Sequence, residues 1–154
     1  MKKIGLMLTV GLFTLGAMTT MQSCKNECKD VTCENGGTCN EDDGTCECAT
    51  GYEGTLCENP WSDKFLATFA ADDTCGFLYE SVITATADNV LSIGNIFGLA
   101  ASGTADVTAV DDIQITSQTV NGYVISGSGT LSGSVLTIDY KIDGADCQVA
   151  YTKK

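Results

Sequence analysis

The chain has 154 residues with nine cysteines, one proline and no histidine; its eight basic residues, all lysines, face twenty acidic ones, for a formal charge of −12. A surface of that sign repels phosphate backbones and argues against nucleic acid as a partner. The missing histidine removes the usual proton carrier near neutral pH, and with it the common triad hydrolases.

Met1-Lys2-Lys3 precede an apolar run over residues 4–18 that is interrupted by Gly5, Thr9, Gly11, Thr14 and Gly16. A run this short and broken suits a signal peptide, whereas a membrane-spanning helix needs about 20 mostly apolar residues. Loss of Lys2 and Lys3 with such a signal takes the charge from −12 to −14. Met21-Gln22-Ser23-Cys24 resembles the lipobox of bacterial lipoproteins. The resemblance implies a signal peptide over residues 1–23, a diacylated Cys24 as the mature first residue and a tether over residues 24–27. It also implies a cell-envelope protein, lipid-anchored to the outer membrane. Lys25-Asn26-Glu27 resembles the lysine-plus-acid tags that follow the lipid cysteine in some surface lipoproteins, although it reads equally as a solvated linker. Cysteine parity points the same way: with Cys24 lipidated, an even eight remain to pair. The alternative is ordinary signal cleavage that leaves Cys24 as an odd thiol.

Cysteine crowding between Cys24 and Cys57 marks a disulfide framework made in an oxidising compartment. Cys28, Cys33, Cys39, Cys46, Cys48 and Cys57 follow C-x4-C-x5-C-x6-C-x-C-x8-C, a spacing that by itself leaves fifteen connectivities open. Asn35-Gly36-Gly37-Thr38-Cys39 and the closing stretch from Cys46-Glu47-Cys48 through Gly51-Tyr52 and Gly54 to Cys57 resemble an EGF-like domain, here over residues 28–58. That resemblance implies the pairs Cys28–Cys39, Cys33–Cys46 and Cys48–Cys57. A segment of about 30 residues cannot offset its conformational entropy by apolar burial, so it depends on such bridges. Glu41, Asp42 and Asp43 raise the question of calcium, which prefers clustered oxygen ligands. The acidic and amide residues that calcium-binding EGF-like domains carry before the first cysteine are reduced here to Asn26-Glu27, so a solvated acidic turn is expected, offered to a cationic partner. No metal and no cofactor is expected.

Asn59-Pro60-Trp61-Ser62-Asp63 reads as a linker, extended at its proline. Residues 64–154 then alternate apolar and polar side chains with the period of half-buried strands, as in Leu136, Ile138, Tyr140 and Ile142 against Thr137, Asp139, Lys141 and Asp143. Asn121-Gly122 and Asp143-Gly144 are strong hairpin signals, and Ser132-Gly133 a weaker one. The pattern predicts eight strands near residues 65–70, 77–87, 90–96, 105–110, 112–118, 123–131, 134–142 and 146–152, with residues 96–101 open to a short helical or irregular crossing. The fold class expected is therefore mostly β: a disulfide-rich EGF-like module followed by a small antiparallel barrel or sandwich of about eight strands. The serine- and glycine-rich run over residues 126–133 resembles the calycin-like C-terminal domains of bacterial lipoproteins, which implies fold more than function. The remaining cysteines, Cys75 and Cys147, are expected to bridge the two ends of the meander.

Gly127-Ser128-Gly129 lacks the lysine and helix of a phosphate loop and reads as a twisted or bulged strand. Asp72-Asp73, Asp106, Asp111-Asp112, Asp139, Asp143 and Asp146 could pair as glycosidase acids, but nothing in the sequence brings any two together, and solvated turn formers are expected. Trp61, Phe77, Tyr79, Phe97 and Tyr123 are expected mainly in the core or at the seam, some at a barrel mouth. The functional expectation is a non-enzymatic, membrane-anchored module that binds a protein or glycan partner. The alternative is carriage of a small apolar ligand inside the barrel, which would fail if Leu136, Ile138, Tyr140 and Val149 meet in the middle.

Overall fold

The computed structural model describes residues 27–76 and 78–154; the expected signal peptide and lipid-acceptor Cys24, together with Phe77, lie outside the described residues. The N-terminal module is a loop framework with a 3-10 turn at Glu27–Asp30 and two small antiparallel ribbons. The first pairs β1 (Thr38–Cys39) with β2 (Cys46–Glu47), and the second pairs β3 (Tyr52–Glu53) with β4 (Asn59–Pro60). Disulfides join Cys28 to Cys39, Cys33 to Cys46 and Cys48 to Cys57. None of the module's side chains enters the main hydrophobic cluster, so these cross-links, worth about 2–4 kcal/mol each, stand in for a core. Gly37 is required here, because a β-carbon would lie 2.7 Å from the sulfur of Cys57.

Eight antiparallel strands follow: β5 (Ala67–Asp73), β6 (Tyr79–Ala87), β7 (Val90–Ile93), β8 (Gly103–Ala109), β9 (Asp112–Val120), β10 (Tyr123–Ser132), β11 (Val135–Ile142) and β12 (Ala145–Lys153). Each pairs with the next, and β12 pairs back onto β5. The result is a closed up-and-down barrel rather than a sandwich. Closure removes the two sheet edges that a linear meander would expose. Asn121 and Asp143 take positive φ before Gly122 and Gly144, the conformation a two-residue hairpin loop needs to follow strand twist.

Alternation sends Phe69, Ala71, Ile83, Leu91, Ile113, Ile115, Ile125 and their like inward, where they form one cluster. Leu136, Ile138, Tyr140 and Val149 all lie buried in it, so side chains fill the middle of the barrel. The inward positions of β10 include Gly127 and Gly129. A β-carbon at Gly127 would stand 2.6 Å from the Asp139 carbonyl oxygen and 2.8 Å from Tyr140 Cβ, and one at Gly129 would stand 2.8 Å from Ile138 Cγ1. Glycine there leaves room for the large side chains of β11. The bulge lies opposite, in β9, where register shifts between Ile125 and Gly127. Past that bulge β9 no longer pairs with β8 through its backbone. The Gln118 amide bridges the gap, accepting from Thr104 N–H at 2.9 Å and donating to the Thr104 carbonyl at 2.7 Å.

The two barrel ends differ. At the base, residues 59–63 are not a free linker: Asn59 and Pro60 form β4, and Trp61–Phe65 form a 3-10 turn. Phe65, read from the sequence as the start of a strand, is fully buried in the main cluster instead. The turn joining β6 to β7 meets the disulfide module at this end. Tyr52 donates to Asp88 at 2.8 Å, Asn89 donates to the Gly51 carbonyl at 3.0 Å, and Ser62 N–H donates to Asn89 Oδ1 at 3.2 Å. Lys64 adds ion pairs to Glu53 at 3.1 Å and to Asp111 at 3.6 Å.

Candidate functional site at the barrel mouth

The opposite end carries the β5–β6 connection, the long β7–β8 connection and two tight hairpin turns. Asp73 closes β5 with the same parity as Phe69 and Ala71, so its carboxylate points inward and is only 7% exposed. Tyr140 on β11 shares its hydroxyl proton between the two carboxylate oxygens, at 2.9 and 2.8 Å. Tyr79, at the start of β6, donates to Oδ2 from 3.2 Å, and Cys75 N–H donates to Oδ1 from 2.9 Å. With its one proton committed to Asp73, Tyr79 accepts from Tyr151, whose hydroxyl lies 3.1 Å away and in turn accepts from Phe97 N–H at 3.4 Å. The chain of donors therefore runs in one direction and ends on the carboxylate.

Burial pushes the phenols of Tyr79, Tyr140 and Tyr151 above their ordinary value. For Tyr79 the neighbouring Tyr151 and Asp73 add to the rise, and for Tyr140 the hydrogen bond to Asp73 does. No ion pair among the described residues includes Asp73, so every group that touches its carboxylate is a neutral donor.

Over this cluster lies the segment at residues 94–102, whose 3-10 turn Ile96–Gly98 answers the expectation of a short helical crossing. Asn95, Phe97 and Ala100 all take positive φ, at 49°, 51° and 54°. For a bulky residue such as Phe97 this is an outlier, costing of order 1–3 kcal/mol. Its ring is held by a parallel stack on Tyr140, with centroids 3.6 Å apart. Asn95 fastens the segment by donating to the Glu80 carbonyl and accepting from Ala100 N–H, and Asn121 donates to the Leu99 carbonyl. A mouth cavity of about 410 Å³ remains, bounded by Cys75, Tyr79, Phe97, Leu99, Tyr123 and Tyr140. Leu78, Tyr123 and Val124 are exposed at this end. A second concavity of about 440 Å³ is lined by residues that include Gln114, Ser128, Asp139 and Lys141, and Lys141 there is paired with Asp146.

Cys75 and Cys147 form the fourth described disulfide. Cys75 lies in the β5–β6 connection and not at the opening of a strand, so the bridge pins that connection to β12. Trp61 belongs to the seam, donating from its indole to the Tyr52 carbonyl at 3.1 Å, whereas Tyr79, Phe97 and Tyr123 belong to the mouth. Most of the aspartates singled out in the sequence lie exposed; Asp73 is the correction, because its strand runs three residues further than the sequence pattern suggested. The strand parity of Phe69, Ala71 and Asp73 was the signal that could have found it.

Glu41, Asp42 and Asp43 sit in the β1–β2 turn of the disulfide module and are not brought to the mouth. Asp43 shapes that turn: its Oδ1 accepts from Thr45 N–H at 3.0 Å and from the Thr45 hydroxyl at 2.7 Å, which lowers its pKa. Among the described residues no group of three or more side chains is placed to hold a metal ion. Comparison of the chain with protein-family models, with curated proteins and with solved structures finds no match.

Proposed function

We propose that the chain is an exported lipoprotein, anchored through Cys24 to the outer membrane. In this reading its EGF-like module is a spacer, and its calycin-like barrel is a binding head that engages a protein or glycan partner without covalent chemistry. One observation carries the reading. The disulfide module packs against the base of the barrel, so the aromatic, partly open mouth lies at the end away from the module that follows Cys24 in sequence. A rigid barrel that presents loops at its far end is a common way to place recognition groups. Carriage of an apolar ligand inside the barrel is disfavoured, because Leu136, Ile138, Tyr140 and Val149 occupy that space.

The test has two arms. Mass spectrometry of the native protein should find acyl chains on an N-terminal Cys24, and Cys24→Ser should release the protein from membranes. A photo-reactive phenylalanine derivative should then replace Tyr123 at the mouth or, separately, Asp139 on the barrel wall. Cross-linking on intact cells should yield a discrete adduct from position 123 and none from position 139. Equal adducts at both positions, or an unmodified mature terminus elsewhere, would overturn the reading.

A further inference from the structure

We infer that the barrel mouth recognises an organic ammonium group. This deepens the proposal that the mouth is the binding end, and rests on it. The first observation is the buried Asp73 carboxylate, whose hydrogen-bond partners among the described residues, Cys75, Tyr79 and Tyr140, are neutral donors that themselves line the cavity. A carboxylate has about four acceptor positions, and Cys75 N–H, Tyr79 and Tyr140 supply three protons. Its charge is oriented and held, but no cation among the described residues pairs with it. In a poorly screened interior that field reaches the adjoining cavity.

The second observation is what faces the cavity. Tyr79 and Tyr140 direct their hydroxyls at Asp73, so their hydrogen-bonding capacity is largely committed inside the barrel. Asn95 likewise directs its amide at Glu80 and Ala100 of its own surroundings. The aromatic rings of Tyr79, Phe97, Tyr123 and Tyr140 remain as lining. Ring faces attract a cation through their quadrupole and do little for a neutral polyol, which needs free hydrogen-bonding groups. No lysine lines the cavity, so an anion would meet Asp73 without compensation. A volume of about 410 Å³ suits a compact head with a short apolar stem, and lies at the small end of ligand pockets. The net charge of −12 draws cations toward the protein from a distance.

A free alkylamine and the lysine side chain of a protein partner present the same head. The purified full chain should be titrated with n-butylammonium, with the peptide acetyl-Gly-Lys-Gly-amide, and with n-butanol as the neutral analogue of the first. Backbone amide resonances should be followed by NMR. The expected result is saturable binding of n-butylammonium at least tenfold tighter than n-butanol, with shifts at Gly76, Phe97, Gly98 and Tyr123. Tighter binding of the peptide than of the amine would assign the site to a partner's lysine, and the reverse to a free amine; either outcome supports the inference. Asp73→Asn should lower amine affinity at least tenfold. Because that change could disturb packing, Tyr123→Ala at the exposed rim provides a second variant, expected to lose threefold or more with near-UV circular dichroism unchanged. Equal affinity for amine and alcohol, or amine shifts confined to residues 41–43, would overturn the inference. In that case the adduct from position 123 on intact cells would still stand, so failure of the ammonium assignment is distinguishable from failure of the binding-end proposal.

Discussion

Replacing Tyr140 by phenylalanine isolates the hydroxyl that holds Asp73. The ring keeps its volume and its stack on Phe97, and what disappears is one proton shared between two carboxylate oxygens at 2.9 and 2.8 Å. Hydrogen bonds to charged groups contribute about 1.5–3 kcal/mol, and the loss of a donor is felt more where water cannot replace it. Tyr140 is 4% exposed and Asp73 7%, so replacement by solvent is restricted. Cys75 N–H and Tyr79 remain as donors, which places the expected loss near about 2 kcal/mol rather than at the upper limit. For a domain of this size each kcal/mol moves the midpoint by about 4–8 °C, so Tm should fall by roughly 8–16 °C. Urea unfolding with the disulfides intact should give the same loss at an unchanged m-value. In a double-mutant cycle with Asp73→Asn the two changes should couple by about 1–2 kcal/mol, since they remove the same contact. Tyr123→Phe, at a residue 44% exposed, is the control and should stay within about 0.5 kcal/mol of wild type. A Tyr140→Phe protein as stable as that control would refute the description of the mouth as an organised carboxylate site.

Two further expectations follow from the same packing. Gly127→Ala would set a β-carbon 2.6 Å from the Asp139 carbonyl oxygen, a backbone atom that cannot swing aside, so a loss of about 1–3 kcal/mol or more is expected in urea unfolding, with outward-facing Ser128→Ala near neutral. The raised phenols of Tyr79, Tyr140 and Tyr151 make the stability pH-dependent at the alkaline end. Their contribution is fully present below the unfolded-state value of about 10 and is lost as pH rises above it, by up to about 1.4 kcal/mol per pH unit for each tyrosine, because the unfolded chain ionises first. Tyrosinate absorbance should therefore contain a component that appears only together with loss of the near-UV circular dichroism; smooth titration of all five tyrosines in the folded protein would contradict this.

Much of the scaffold was legible in local sequence. Alternating side chains and turn residues such as Asn121-Gly122 are consequences of backbone geometry within a few residues, so eight strands and their hairpins could be read without knowing where the strands go. Cysteine number and spacing marked the disulfide module, although spacing alone left the pairing open. Composition also carried the readings of export and charge. Other features depended on residues far apart in the chain. Barrel and sandwich share one alternation pattern, and only the pairing of β12 with β5 distinguishes them. Gly127 read as a local irregularity, yet its need for glycine comes from Tyr140 on the next strand. Asp73 looked like half of a solvated Asp-Asp pair. Its burial was set by one residue of strand parity; Tyr79 meets it across the β5–β6 connection, six positions away, but Tyr140 meets it only through closure of the sheet, across 67 positions of sequence. Local pattern determines which face of a strand a residue occupies, whereas only the closed barrel determines which other faces it meets, and the chemistry of the mouth lies in those meetings.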